Sequence, residues 1–179
     1  MTDYERIERD YFEAIQRFQN DEYIVIELWP EEPFVGHLKI TIFGAEDTPY
    51  ENGRFVFEIK TFNNYPFYPP GVFCHTKIWH PNIDIDRAPP SNNFWKDNVC
   101  FDIINPDRIG KVDPVTKIMG WTPTKDMVML LECLKLMIHC YPPFFNPDDP
   151  LNREAGAQYK HNRTEFEKKA REWTEKYAS

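Results

Sequence analysis

Glycine is scarce in this chain, and basic charge is in deficit. Seven glycines stand against sixteen prolines in 179 residues, so the loops are expected to be stiff and extended rather than slack. Lysine and arginine number 21 against 29 aspartate and glutamate, a formal net charge of -8. That deficit argues against nucleic acid and against an anionic membrane surface as partners. No apolar run reaches the roughly 18 residues that a membrane span needs. The opening stretch MTDYERIERDYFEAIQRF carries charge throughout and has no apolar signal core. The expectation is a protein kept in a reducing compartment, cytoplasmic, or nuclear as well if eukaryotic. Its four cysteines, Cys74, Cys100, Cys133 and Cys140, then read as free thiols. Zinc sites favour paired ligands such as Cys-x-x-Cys. Here the pairs Cys74-His75 and His139-Cys140 are adjacent, and His80 with Cys100 supplies only two ligands. No metal and no cofactor is expected.

A chain of this length and ordinary composition suits a single domain, spanning residues 1–179. Tyr4, Ile7, Tyr11, Ile15 and Phe18 recur at steps of three and four, one apolar stripe of a first helix that ends at Asn20-Asp21. Four strand-like segments follow: EYIVIELW, GHLKITIF, RFVFEIKT and GVFCHT. In the second, Leu38, Ile40 and Ile42 alternate with His37, Lys39 and Thr41; in the third, Phe55, Phe57 and Ile59 alternate with Arg54, Val56, Glu58 and Lys60. Turn-rich joins between alternating strands predict an antiparallel meander with one buried face. After a long irregular centre, WTPTKDMVMLLECLKLMIHCY reads as a buried central helix capped by Thr122 with Pro123 at its first position. Two C-terminal helices close the chain, LNREAGAQYKH and one that Asn162 with Glu165 would cap. The fold class is α+β, a helix layer packed on one four-stranded sheet.

The polar centre WHPNIDIDRAPPSNNFWKDNVCFDII is long for a structureless connection. Cys133, Cys140 and Cys74 sit among apolar residues and read as core. Cys100 ends a loop instead, where function concentrates. Three readings of it are open at this point: half of a metal site, a nucleophile, or a structural residue. A thiol hydrolase would need a histidine base, for which His80 is the nearby candidate.

The segment DTPYENGRFVFEIKTFNNYPFYPPGVFCHTKIWHPNI, then a cysteine, then Trp121-Thr122-Pro123 and a long apolar helix, closely resembles the ubiquitin-conjugating enzymes. The likeness resumes in NPDDPLNREAGAQYKHNRTEFEKKAREWTEKYA. The resemblance implies that family's fold and an acyltransferase. Cys100 would take ubiquitin or a ubiquitin-like modifier from an activating enzyme as a thioester. It would pass it to a substrate lysine, with a RING-type ligase. It further implies that Asn82 of His-Pro-Asn contributes to oxyanion stabilisation and that His80 braces the loop. Asp149 would orient the lysine's amine and receive its proton, with the rival or concurrent role of capping the next helix beside Pro150. Docking of ligase and activating enzyme would involve Arg6, Arg9, Phe67, Thr122, Pro123 and Thr124; the rival reading of Phe67 is a core residue. A non-catalytic ubiquitin-binding variant of the fold is the alternative, with the hydrolase a third.

Departures from the family pattern flank the cysteine. Cys100 lies eighteen residues after Asn82, farther than in most family members, so extra residues intervene, in outline DRAPPSNNFWKD. A second insertion, NPDRIGKVDPVTKIMG, separates Cys100 from Trp121. It is mixed in charge, where some family members carry an acidic insertion. The first helix is mixed as well, where a more basic face often meets the activating enzyme.

Overall fold

The computed structural model describes residues 3–179. Helix α1 (Asp3–Phe18) leads into strands β1 (Ile24–Leu28), β2 (His37–Phe43), β3 (Arg54–Lys60) and β4 (Gly71–Cys74); α2 (Met127–Ile138), α3 (Arg153–His161) and α4 (Arg163–Tyr177) complete the order. The strands form one antiparallel sheet in sequence order, the expected α+β meander. Register follows the alternation: Ile40 pairs with Ile26 on one side and Phe57 on the other. One sheet face and α2 then enclose the core, in which Leu38, Ile40, Ile42, Phe55, Phe57 and Ile59 are fully buried together with Leu130, Leu131 and Leu134. A helix with that much apolar surface is stable only when covered on most sides, and α1 packs against α2 as well.

Three local expectations give way. The central helix does not begin at Thr122. Asp126 caps it, accepting from the Met129 amide at 2.8 Å. Upstream, the Arg6 guanidinium donates to the carbonyls of Pro123 and Lys125 at 2.8 and 2.7 Å, which holds that stretch as a turn outside the helix. Likewise α3 is capped by Asn152, whose side chain accepts from the Ala155 amide, and not by Asp149. Lastly, Glu58 alternates outward but is buried. His37 Nε2 and His75 Nε2 each lie 2.7 Å from its carboxylate, and the Trp29 ring stacks over both imidazoles.

On α1 the stripe also shifts. Tyr4 is exposed, while Asp10 is buried and takes the Tyr65 hydroxyl, Arg6 and Arg9. A buried carboxylate is tolerated only when donors surround it, and here they join α1 to the Tyr65 loop.

Candidate active site

The sheet ends at β4, an edge strand whose backbone groups would otherwise be open. Side chains from just before Cys100 close that edge. Asp97 Oδ1 accepts from the Val72 amide at 3.0 Å, and Asn98 accepts from the Cys74 amide at 2.7 Å while donating to the Cys74 carbonyl at 2.9 Å. Next to this edge the Asp84 amide donates to the Asn98 carbonyl at 2.7 Å, and the Cys100 amide donates to the Asn82 carbonyl at 3.0 Å. Ile83 and Val99 bridge between them. The first insertion is therefore an excursion whose two ends meet, and its length does not separate Asn82 from Cys100. Its Trp95 lies on Gly71, where an added Cβ would fall 2.2 Å from Nε1 of the indole. The signal in the sequence was the polar pair Asp97-Asn98 directly ahead of the cysteine, which sequence reasoning did not single out.

Cys100 is half-buried, and its pKa is raised above the ordinary thiol value, first by burial and then by the charges of Asp149, Asp102 and Asp97; Arg87 opposes them. Burial pushes Cys74, Cys133 and Cys140 up to about 12. Asn82, Asn105, Asn146 and Asp149 line a small cavity with Cys100, of about 40 Å³. It shares Asp102, Asn146 and Asp149 with a larger cleft of about 680 Å³ that Val115 and Thr116 of the second insertion and the 142–149 loop line. Cys100 also lines a further cavity of about 170 Å³, with Arg87, Asp97, Asn105 and Leu151.

Asn82 is fully buried. Its amide Nδ2 donates to the Asn146 carbonyl at 2.8 Å and reaches that of Asp149 at 3.4 Å, while Oδ1 accepts from the Asn146 amide at 2.8 Å. In this conformation the side chain clamps the 146–149 loop and so places Asp149 beside the thiol. Asp149 is exposed, with its carboxylate on the cavity wall; its neighbour Asp148 pairs with Lys160 at 3.0 Å. Asp102 accepts from the Thr116 hydroxyl at 2.6 Å.

His80 is fully buried between the Tyr50 and Phe145 rings. Its Nε2 faces the Met137 carbonyl at 3.2 Å and Nδ1 accepts from the Asn82 amide at 3.0 Å. Both nitrogens are occupied, and burial lowers its pKa to about 4. It is a brace between α2 and the loop, and it does not reach Cys100 as a base.

The residues that the resemblance associates with docking lie along one contiguous stretch. Trp121 Nε1 donates to the Pro66 carbonyl at 2.7 Å, Tyr65 donates to Asp10, and Arg6 holds Pro123. These bonds gather α1, the Phe67 loop and the 122–124 turn. Phe67 is 63% exposed, so it is not a core residue. Pro123 and Thr124 are exposed, and Thr122 and Thr124 share a hydroxyl contact of 2.9 Å. Arg9 keeps much of its side chain in solvent, whereas Arg6 is largely enclosed by the bonds just given.

A family model described as ubiquitin-conjugating enzyme matches residues 6–174. The chain belongs to the ubiquitin-conjugating enzyme family. It is 35% identical over 153 residues to ubiquitin-conjugating enzyme E2 T of Mus musculus, covering 86% of this chain and 64% of that one. The chain thus spans just under two thirds of that relative's length. Among solved structures, a Plasmodium yoelii protein described as a candidate ubiquitin conjugating enzyme aligns with a TM-score of 0.73 and 26% identity, over 100% of this chain and 97% of that one. The E2 domain of a Toxoplasma gondii ubiquitin conjugating enzyme aligns with a TM-score of 0.71 over 98% of each chain; at 23% identity it speaks to the fold.

Proposed function

We propose that this chain is a conjugating enzyme that carries ubiquitin or a ubiquitin-like modifier as a thioester on Cys100 and transfers it to a substrate lysine, working with an activating enzyme and a RING-type ligase. The observation that carries the reading is that Cys100 lines one cavity with Asn82 and Asp149 and a second with Asp97 and Arg87.

In the loading step the Cys100 thiolate attacks the carbonyl carbon of the activating enzyme's thioester. A new carbon–sulfur bond forms, and the activating enzyme's cysteine leaves as the thiolate. Such exchange is nearly balanced and needs an accessible thiolate more than a strong base. A thiol kept protonated by burial and by three carboxylates also resists oxidation. In the transfer step a neutral amine attacks the carbonyl carbon of the Cys100 thioester, and the carbon–sulfur bond breaks with its electron pair on Cys100. The amine's surplus proton passes by way of a carboxylate at the site to the departing sulfur. The carboxylates that hold the thiol protonated draw the cationic lysine in, and Asp149 orients it. Asn82 supports this by holding the 146–149 loop in place. Its amide can also serve the tetrahedral oxyanion once that loop yields a hydrogen bond. With both nitrogens of His80 occupied, the hydrolase reading lacks a base.

The test is incubation with activating enzyme, ATP and a panel of modifiers. The expected product is an adduct that a thiol reductant removes, absent in Cys100→Ala, and replaced in Cys100→Lys by a reductant-stable amide. Identical adducts on wild type and Cys100→Ala would overturn the reading.

A further inference from the structure

The first insertion brings a carboxylate to a cavity that the nucleophile also lines. Asp97 and Cys100 line the same cavity of about 170 Å³, with Arg87 and Asn105. One carboxylate oxygen is fixed: Oδ1 accepts from Val72 N at 3.0 Å and from Trp95 Nε1 at 2.6 Å. Among the described residues no donor reaches Oδ2. Val99, Phe101, Ile104 and Leu151 supply apolar wall to the cavity, and Oδ2 stays accessible for a proton.

We propose that Asp97 is a second catalytic carboxylate of the transfer step, receiving the proton that the incoming amine must lose. This rests on Cys100 carrying the thioester. The amine nitrogen bonds the carbonyl carbon, and the carbon–sulfur bond breaks with its electron pair on Cys100. The surplus proton on nitrogen passes to Asp97 Oδ2 and from there to the departing sulfur, leaving an amide and a free thiol. No oxidant or further reactant is needed.

Asp97 suits this task better than the other carboxylates at the site. Asp102 is engaged by Thr116, and Asp148 by Lys160. Asp149 stands exposed and lines the smaller cavity at Cys100 instead, suited to orienting a cation in water. Burial raises the Asp97 carboxyl to about 6, against the pull of the Trp95 and Val72 donors and of Arg87. A group titrating there is ionised at neutral pH, ready to accept a proton, yet close enough to hand it on. The charged and titratable groups facing it are Arg87 and Lys96 of the insertion, Cys100, and the Asp102 and Asp149 charges that act on the same thiol. Arg87 is itself tied, to the Asp97 carbonyl at 2.8 Å and to Asp84 at 3.1 Å.

The test is single-turnover discharge. Wild-type protein and Asp97→Asn are loaded, freed of activating enzyme and ATP, and chased with free lysine across a pH series. Asparagine can still accept from Val72 and Trp95, so the insertion stays anchored. Discharge by Asp97→Asn is expected to be slower by roughly tenfold or more at neutral pH. The wild-type profile, corrected for free amine, should show a limb near pH 6 that the variant lacks. Gly71→Ala provides a second route, because its Cβ would displace Trp95 and free the carboxylate without removing it. It should slow discharge and shift indole fluorescence together. Equal rates and superimposable profiles for wild type and Asp97→Asn would overturn this proposal and leave the role of Cys100 standing. A wild-type protein that never forms a thioester would overturn the parent reading, and this one with it.

Discussion

The segment before Cys100 is fastened to the sheet by side-chain hydrogen bonds, whereas the segment after it folds largely on itself. Asn98 closes the edge of β4 with a fully engaged amide, and Trp95 takes the space that Gly71 leaves open. The second insertion is a hairpin. Val112 bridges to Met119, and the Asp113 carboxylate accepts from the amides of Val115 and Thr116 at 2.8 Å and pairs with Arg108 at 2.8 Å. It leaves Val112, Val115 and Met119 exposed, and one of its links to the site is the Thr116 hydroxyl on Asp102. The same residue type therefore behaves in opposite ways in the two places. Burial pushes the Asp97 carboxyl up to about 6, while backbone amides of Thr116 and Val115 pull the Asp113 carboxyl down. A loop that donates side chains to a sheet edge is fixed to the sheet, and a loop that satisfies its own turn stays an appendage.

The largest break in this comparison should come from Asn98→Ala. It orphans the Cys74 amide and carbonyl and the Asp84 carbonyl in buried surroundings. A cost of about 3 kcal/mol is expected for stranding such groups, read as a lower urea midpoint with an unchanged slope. A midpoint equal to wild type would mean that the insertion is not integral to the sheet. A smaller effect, but of opposite sign in the two regions, is expected from pH. The folded Asp97 carboxyl holds its proton to a higher pH than the unfolded chain does. Wild type should therefore gain stability relative to Asp97→Asn as pH falls from about 6 toward about 4. Asp113 is shifted downward, so its contribution is present above the unfolded carboxyl's pKa and lost as pH falls through the folded value. Wild type should accordingly lose its advantage over Asp113→Asn on acidification. Paired urea titrations at neutral and acidic pH check both slopes; slopes of the same sign would dissolve the contrast. The smallest effect belongs to Thr116→Val, which removes one hydroxyl from Asp102 at a partly exposed site. A loss of under about 1 kcal/mol is expected, with Cys100 alkylation little changed. A large loss would show the hairpin to be as integral as the first insertion.

Much of this architecture was legible in local pattern. Alternation at period two placed Leu38, Ile40 and Ile42 on the core face, and helical spacing marked α2, because burial imposes those periods directly on the chain. Cys100 was legible as the loop cysteine among four, since the other three sit inside apolar runs. The start of α2 was not. Thr122 and Asp126 are both good caps, and the choice fell to Arg6, more than a hundred residues away, which captured the carbonyls of Pro123 and Lys125. Glu58 reads as solvent-facing from alternation alone; only the fold brings His37, His75 and Trp29 over it. The closure of the first insertion was hidden for the same reason, because Asp97 and Asn98 find their partners on β4.

By itself, then, the sequence determined the order of helices and strands, the core face of each and the thiol at the end of the polar centre. These depend on periodicity and composition, which act within a few residues. The tertiary structure alone decided that Asn82 clamps the 146–149 loop, that His80 is locked as a neutral brace, that Arg6 holds a turn, and that Asp97 and Cys100 line one cavity. Each of those depends on a hydrogen bond or a burial between segments distant in sequence or folded back upon one another, and no local pattern encodes which polar group will meet which.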